Sequence, residues 1–210
     1  LQNPSASLAS QVYAEDGTLM GKYYLQDRVN VDYADISKYI VDALVATEDE
    51  RFYEHNGIDP RSLARSVVNL GTKGGASTIT MQTAKNLFTE NWGTSNIFLR
   101  IIQKLKECII AVKLERNFTK AEIINLYLNT VAFGDNVFGI RNASKTFFQK
   151  EPDRVNIEEA AVLIAMVNAP SLFNPRTNPA NSRNRRNLVY DQMVRNEYLS
   201  ADEAAKLTLA

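Results

Sequence analysis

Two stretches of the chain hold residue types that can move a proton and bind an anion. The first is acidic and runs from Glu48, Asp49 and Glu50 to the single histidine, His55. The second, residues 74–86, opens with two glycines, continues through hydroxyl and amide side chains to a lysine, and is expected to begin a helix. A carboxylate can act as a general base, and the free N–H groups of a helix start favour an anion. The pair indicates a site that deprotonates one group and holds an anionic one.

A third segment, predicted as a helix from about residue 97 to 115, has two contrasting faces. The first is apolar and is expected to enter the core; at about 100° per residue it carries Ile101, Ile102, Leu105, Cys108, Ile109 and Val112. The second is a stripe of Arg100, Lys104, Glu107 and Ala111. This stripe is either a surface ion-pair row or, because the helix is apolar on other sides too, a row that faces a cleft.

Around these segments the sequence predicts one β-hairpin followed by helices. Residues 11–24 alternate about an Asp16-Gly17 turn, as in a hairpin. Asp35 and Pro60 are typical helix-start residues, and capping patterns predict further helices from about residues 120, 157 and 201. Residues 89–99 lack a period and are predicted to form a mobile surface loop. We therefore expect a mainly α-helical chain, with a hairpin and linker in residues 1–30 and one domain in residues 31–210.

Composition narrows the classes of function. With 210 residues and 45% hydrophobic content, the chain is long enough for a sizeable core. Lys and Arg number 24, as do Asp and Glu, so the formal net charge is zero and no nucleic-acid partner is expected. The single cysteine, Cys108, excludes an internal disulfide and is interpreted as a packing residue. No apolar run reaches the ~20 residues of a membrane span, so any anchor is expected outside this chain, which is itself interpreted as a fragment.

Five segments, in this order, resemble the peptidoglycan glycosyltransferases, the glycosyltransferase family 51 domains of class A penicillin-binding proteins. The first and second are Glu48-Asp49-x-x-Phe52-x-x-His55-x-Gly57 and Gly74-Gly75-Ala76-Ser77-Thr78 through Asn86. The third spans Gln103 to Glu115, the fourth Tyr127 to Gly139, and the fifth Glu159 to Pro175. The resemblance covers nearly the whole chain, and the hairpin is similar to the strand that precedes this domain in the bifunctional proteins.

The resemblance implies a lysozyme-like fold with a large and a small lobe around a cleft. It also implies an inverting glycosyltransferase that polymerises lipid II into β-1,4-linked glycan strands and releases undecaprenyl pyrophosphate. Glu48 would deprotonate the acceptor 4-hydroxyl, and Glu107 would assist the leaving group or order the donor site. The implied substrate-binding residues are Asp49, Phe52, His55, Gly75, Ser77, Thr78, Gln82, Lys85, Asn86, Arg100, Lys104 and Lys106. Among them, the cations would neutralise pyrophosphate, and Ser77, Thr78 and Gln82 would hold it at the helix start.

The same resemblance implies partners and a location. The partners are lipid II, the growing glycan strand, the bacterial inner membrane at its periplasmic face, and a C-terminal transpeptidase domain in the full-length chain. Moenomycin is expected to inhibit by occupying the donor site. No cofactor is required and no metal-ligand spacing is present, although a divalent cation, Mg or Mn, could assist by Lewis-acid action. The apolar triplet Ile97, Phe98 and Leu99 is predicted to dip into lipid.

Departures and local interpretations leave alternatives open. Gln103 stands where the family usually has arginine, a charge that Arg100 could supply from one turn earlier, and Met81 stands where glutamine is usual. Local pattern alone favours a solvated acidic helix end at residues 48–50 and a structural hydrogen-bonding role for His55. It also favours core positions for Phe52 and Tyr53. Arg183, Arg185 and Arg186 lie either on a helix surface, which is favoured for the first two, or in contact with pyrophosphate or lipid headgroups.

Two other classes of function stay open. A lysozyme-like lytic enzyme would share the helical architecture and a catalytic glutamate, but cutting glycan needs no pyrophosphate site, so Lys85, Lys104 and Lys106 speak against it. The other alternative is a catalytically silent module that binds lipid-linked sugar. Its signature would be binding without turnover.

Overall fold

The computed structural model describes residues 10–13, 19–23, 30–68, 75, 77–88 and 96–209. These residues form strands β1 (Ser10–Tyr13) and β2 (Leu19–Tyr23), then helices, with 3₁₀ turns at Tyr33–Asp35 and Pro152–Arg154. The helices are α1 Lys38–Glu48, α2 Pro60–Val68, α3 Ile79–Phe88, α4 Ile97–Asn117, α5 Lys120–Thr130, α6 Ile140–Phe148, α7 Ile157–Asn168, α8 Pro179–Arg195 and α9 Ala201–Leu209. The predicted mainly α-helical class is confirmed.

The two strands pair antiparallel, with Ser10 opposite Tyr23 and Val12 opposite Gly21, as the hairpin prediction requires. The Asp16-Gly17 turn lies outside the described residues, and so does most of the predicted loop at 89–99. Asn96 is described and caps α4, because its side chain accepts a hydrogen bond from the Phe98 N–H at 2.9 Å.

Two groups of helices hold the core together. Helix α1 packs against α7 and α8, while α3 packs against α4 and α5. Ile40, Ala43 and Leu44 of α1 are fully buried. Each fully buried side chain of the leucine or isoleucine type contributes ~1.5–3 kcal/mol to folding. The C-terminal end of α1, which carries Glu48, is therefore held by the core.

Reciprocal side-chain caps fix the starts of three helices, as the sequence predicts. Thr119 Oγ1 accepts from the Glu122 N–H at 3.3 Å, and the Glu122 carboxylate accepts from the Thr119 N–H at 2.7 Å. The same reciprocal bonds precede α7 and α9, between Asn156 and Glu159 and between Ser200 and Glu203. Such a cap is worth ~1 kcal/mol.

Helix α1 does not begin directly after Asp35, so the prediction that Asp35 caps it was wrong. Asp35 ends a 3₁₀ turn, and Ile36 is extended at φ −107° and ψ 128°. Ser37 then precedes α1 without a side-chain cap, because its hydroxyl donates to the Val155 carbonyl at 2.8 Å. A tertiary hydrogen bond has replaced a local one.

The predicted core face of α4 was also wrong. Ile101, Leu105 and Ile109 are 53%, 59% and 59% exposed. The opposite side is buried instead, since Ala111 contacts the loop at Gly57, where φ is +91° and a Cβ atom would lie 2.9 Å from the Ala111 backbone. The charged stripe therefore faces inward, as the cleft interpretation predicted. None of the helices in the described part of the chain is long and apolar enough to cross a membrane.

Candidate active site

A cleft of about 1380 Å³ opens at the C-terminal end of α1. Its walls come from α1 and the loop after it, α2, α3, α4, the end of α7, and α8. The predicted site residues that line it are Glu48, Asp49, Gly75, Ser77, Thr78, Gln82, Lys85, Asn86, Arg100, Lys104 and Glu107. The fold thus brings both predicted catalytic carboxylates and most predicted binding residues to one cleft.

Glu48 is held by an amide. Gln82 Nε2 donates to Glu48 Oε2 at 3.0 Å, and the Tyr127 hydroxyl donates to Gln82 Oε1 at 3.1 Å. Burial, and then the charge of Glu48, raise the pKa of Tyr127 well above its usual range. Glu48 also lines the cleft, and its Oε1 has no hydrogen-bond partner among the described residues, so the carboxylate can accept a proton from a bound hydroxyl.

Asp49 acts as a brace, meaning that its carboxylate bonds to other residues of the site and is not open to substrate. Its carboxylate accepts from His55 Nε2 at 2.9 Å and from the Ile79 N–H at 3.0 Å. His55 Nδ1 in turn accepts from the Gly57 N–H at 3.2 Å, which assigns the Nε2–H tautomer. The structural role that local pattern favoured for His55 agrees with these bonds.

At the start of α3, the backbone N–H groups of Ile79 and Met81 already donate to side chains of the protein. Thr78 Oγ1 donates to the Gly57 carbonyl at 2.7 Å and accepts from the Met81 N–H at 3.1 Å. With the Ile79 N–H bonded to Asp49, these backbone donors are satisfied within the protein. The helix start that the sequence offers to an anion is therefore occupied by the carboxylate of Asp49.

Glu107 lies on α4 with Lys104 beside it. Glu107 is 5% exposed, and Lys104 Nζ lies 3.0 Å from its Oε2. The same ammonium group donates to Ser77 Oγ at 2.5 Å. A nearly buried carboxylate paired with a half-exposed lysine can hold a fixed position at the wall, and the lysine can still reach an anion.

Further cations line the cleft on two sides. Lys85 and Arg100 lie on α3 and α4, and Arg185 and Arg195 lie on α8. Among the described residues, no carboxylate pairs with any of these four. The predicted surface position of Arg185 was wrong, because Arg185 lines the cleft and its buried Nε has no hydrogen-bond partner among the residues that the structure describes. No sequence motif marks Arg185 and Arg195 as binding residues, since residues on an exposed helix face and residues on a cleft wall follow the same pattern in sequence.

Three predicted substrate-binding residues do not line the cleft. Phe52 is fully buried in the core, His55 is 7% exposed and bonded to Asp49, and Lys106 is exposed on α4 outside the lining. Phe52 and His55 lie inside the loop that carries Asp49 and therefore support the wall from behind.

Lys120 is a residue that the sequence analysis missed. Its Nζ donates to the His55 carbonyl at 2.6 Å and to Glu115 Oε1 at 2.9 Å, and it lies 4.4 Å from the centre of the Phe52 ring. Thr80 Oγ1 also donates to Glu115 at 2.6 Å. These contacts tie the loop after α1 to α3 and α4, and only the tertiary structure reveals them.

Comparisons with known proteins identify the family. The profile described as Transglycosylase matches residues 16–194. The chain is 39% identical over 197 residues to penicillin-binding protein 1A of Haemophilus influenzae, covering 92% of this chain and 22% of that protein. It is also 39% identical over 200 residues to penicillin-binding protein 1F of Bacillus subtilis, covering 93% of this chain and 27% of that protein.

A solved structure has the same fold. The crystal structure of penicillin-binding protein 1A from Haemophilus influenzae superposes with a TM-score of 0.54 and 23% identity, over 96% of this chain and 20% of that one. This likeness confirms the lysozyme-like helical architecture, and the chain spans about a quarter or less of the length of these proteins. The match to the family profile extends over most of the chain, from the hairpin turn to the last turn of α8, and the chain belongs to the transglycosylase family.

Proposed function

We propose that this chain polymerises lipid II into β-1,4-linked glycan strands and releases undecaprenyl pyrophosphate. The observation that supports this function best is the cleft, which is lined by Glu48, by the nearly buried Glu107 with its half-exposed partner Lys104, and by cations on two walls that lack acidic partners among the described residues. A base and cations in one cleft suit the joining of a sugar hydroxyl to a sugar pyrophosphate.

In the proposed reaction, Glu48 removes the proton from the acceptor 4-hydroxyl. The resulting oxygen attacks the anomeric carbon of the growing chain, and the bond from that carbon to the pyrophosphate oxygen breaks, with inversion. Lys85, Arg100 and Lys104 neutralise the charge on the departing pyrophosphate. Glu107 holds Lys104 in place. Of the two roles that the family resemblance implies for Glu107, the proposal therefore assigns the ordering of the donor site.

In this proposal, Arg100 supplies the positive charge of the arginine that the family usually has at the position of Gln103. Both Arg100 and Gln103 line the cleft, and Arg100 lies just over one turn before Lys104 on the same side of α4. On the opposite side, Arg185 and Arg195 would bind a second anionic group, since each of the two lipid-linked substrates carries a pyrophosphate. Phosphate groups suit the guanidinium fork well.

The exposed side of α4 supports association with a lipid surface. Phe98, Ile101, Ile102, Leu105 and Ile109 are all at least 44% exposed. Contiguous exposed apolar residues next to cations are typical of a membrane-facing surface. We propose that the enzyme acts at the periplasmic face of the bacterial inner membrane, and that it belongs to a longer chain with an anchor and a C-terminal transpeptidase domain, as the likeness to much longer penicillin-binding proteins supports.

No cofactor is part of this mechanism. Within the described residues, no group of three or more His, Cys, Asp and Glu could hold a metal ion. A divalent cation such as Mg or Mn would instead meet the substrate pyrophosphate, and comparing each metal with EDTA tests that addition.

The experiment that tests the function incubates the chain separately with labelled lipid II and with preformed glycan in detergent or liposomes. Polymer from lipid II that moenomycin abolishes supports the proposal. Shortening of preformed glycan would instead assign a lytic enzyme, and lipid II that is bound but not turned over would assign the silent module.

A further inference from the structure

We propose that Tyr127 is a positioning residue for the proton-accepting carboxylate, because its hydroxyl fixes the Gln82 amide with the NH₂ group toward Glu48. The inference rests on the proposed function, in which Glu48 is the base. Nothing in the family resemblance assigns this role, since there Tyr127 belongs only to the fourth sequence segment.

The geometry of the amide carries the argument. An amide has a donor end and an acceptor end of nearly equal size, so two orientations of Gln82 fit the same space. In one of them, Nε2 donates to Glu48 at 3.0 Å. In the other, Oε1 would face the carboxylate, and two acceptors would repel each other. The Tyr127 hydroxyl, 3.1 Å from Oε1, selects the first orientation when it acts as a donor.

Tyr127 keeps the proton that it donates to Gln82. Its side chain is fully buried on α5, and burial followed by the nearby charge of Glu48 raises the pKa of its hydroxyl well above the usual range. The proton therefore stays on the phenol at every pH at which the enzyme would work. Since α5 packs against α3, the ring and Gln82 keep their relative position.

The hydrogen bond to Glu48 has a predictable effect on pH dependence. A bond donated to a carboxylate favours its charged form, so losing that bond makes protonation easier and moves the acid limb of the rate profile to higher pH. Other ionisable groups also surround Glu48 and are unchanged by a Tyr127 substitution. Those that line the cleft are Asp49, Glu50, Asp59, Arg65, Lys85, Arg100, Lys104, Glu107, Arg185 and Arg195.

The test is Tyr127→Phe, with Tyr190→Phe as its matched control. Both tyrosines are fully buried, but the Tyr190 hydroxyl has no hydrogen-bond partner in the described part of the chain and lies outside the cleft lining. For Tyr127→Phe we expect kcat to fall about three- to tenfold, as for one lost hydrogen bond, and the acid limb of the rate profile to move to higher pH. Tyr190→Phe should keep the wild-type profile.

A second readout does not depend on turnover. The carboxyl carbon of Glu48 can be followed by NMR against pH, assigned by its absence in Glu48→Gln. Its titration midpoint should rise in Tyr127→Phe and stay unchanged in Tyr190→Phe. If wild type polymerises lipid II but neither the acid limb nor this midpoint moves, the positioning role is overturned while the function stands.

A double-mutant cycle tests whether Tyr127 acts through Gln82. Once Gln82→Met has removed the amide, adding Tyr127→Phe should have little further effect on kcat or on the acid limb. Effects that simply add would contradict the proposal, as would a loss of kcat explained by a lower melting temperature alone. If wild type makes no polymer, the proposed function fails, and the NMR midpoints still decide the hydrogen-bond chain.

Discussion

The carboxylate of Asp49 accepts a hydrogen bond from the backbone N–H of Ile79 at 3.0 Å, so the residue after Glu48 caps the helix that carries Gln82. The two sequence segments that first indicated a site are therefore joined by this buried contact as well as by the hydrogen bond from Gln82 to Glu48. The Asp49 contact sets where Gln82 meets Glu48, and it uses a backbone donor that would otherwise be open to substrate.

Replacing Asp49 with asparagine should weaken this brace. Asp49 Oδ2 lies 3.0 Å from both His55 Nε2 and the Ile79 nitrogen, so an asparagine oxygen there keeps the bond to Ile79, but its NH₂ group then stands 2.9 Å from His55 Nε2, where Oδ1 now accepts. We expect the free energy of unfolding to fall by about 1–3 kcal/mol, as for a buried donor left unsatisfied. Urea denaturation measures this loss, and Glu54→Gln, at an exposed position, should stay within about 0.5 kcal/mol of wild type. Equal stability of the two variants would contradict the brace.

Asp59 makes a pH-dependent contribution to stability. Burial alone would raise its pKa, but hydrogen bonds from Ser62 and Arg51 outweigh burial and lower the pKa to about 2, from 3.8. The folded chain therefore binds this proton more weakly than the unfolded chain. The contribution, up to about 2 kcal/mol, is complete above about pH 4 and is lost as pH falls toward 2.

Asp59→Asn should accordingly be less stable than wild type at pH 7 and approach wild-type stability near pH 2.5. Urea unfolding at both values measures the difference, and Asp153→Asn, which changes an exposed carboxylate, serves as the control. A gap between Asp59→Asn and wild type that is the same at both pH values would show that the carboxylate charge is not responsible.

Lys104 and Lys106 should behave differently although they are two residues apart. Lys104 lines the cleft and pairs with Glu107, while Lys106 is exposed outside the lining. We expect Lys104→Met to lose roughly 100-fold in kcat/KM on lipid II, as for loss of one donor at a developing charge. Lys106→Met should lose less than about threefold, close to Lys113→Met on the same helix. A loss in Lys106→Met as large as in Lys104→Met would restore the pyrophosphate role that the sequence suggested.

The exposed apolar side of α4 should bind lipid. Changing Ile101, Leu105 and Ile109 to serine together should reduce partitioning to anionic liposomes by roughly tenfold or more, because apolar area leaves the bilayer interface. Leu172, Leu188 and Leu209 are also about half exposed or more, and their triple serine variant is a matched control. Equal partitioning of the two triple variants would contradict a membrane-facing α4.

Local patterns predicted the parts of this fold that local chemistry determines. The pairs Thr119–Glu122 and Ser200–Glu203 cap their helices because each cap needs only residues three apart. The wrong predictions concern features that depend on contacts between residues distant in the sequence. The period of α4 shows which residues share a face but not which face is covered, and here the contact of Gly57 with Ala111 buries the charged side. Phe98 and Leu99 of the predicted lipid-facing triplet are exposed at 74% and 38%, while the Ile97 side chain lies outside the described residues.

The candidate site likewise contains residues that the sequence indicates and residues that only the tertiary structure identifies. Glu48, Glu107 and the cations of α3 and α4 could be named from sequence because the family resemblance marks their segments. Arg195 could not, and for Arg185 the surface position was favoured over a pyrophosphate contact, because α8 reaches the cleft only through its packing on α1 and α7. The hydrogen bond between Lys120 and the His55 carbonyl joins residues 65 positions apart and leaves no local pattern.

The most direct test of the account measures polymerisation of labelled lipid II by the wild-type chain, by Glu48→Gln and by Glu54→Gln, with products resolved by glycan length. Both substitutions remove one carboxylate charge, but only Glu48 lines the cleft. We expect long glycan from wild type and Glu54→Gln, and a loss of roughly 100-fold or more in Glu48→Gln, the scale of a general base. Polymerisation by Glu48→Gln at the wild-type rate would contradict the assignment of Glu48 as the base.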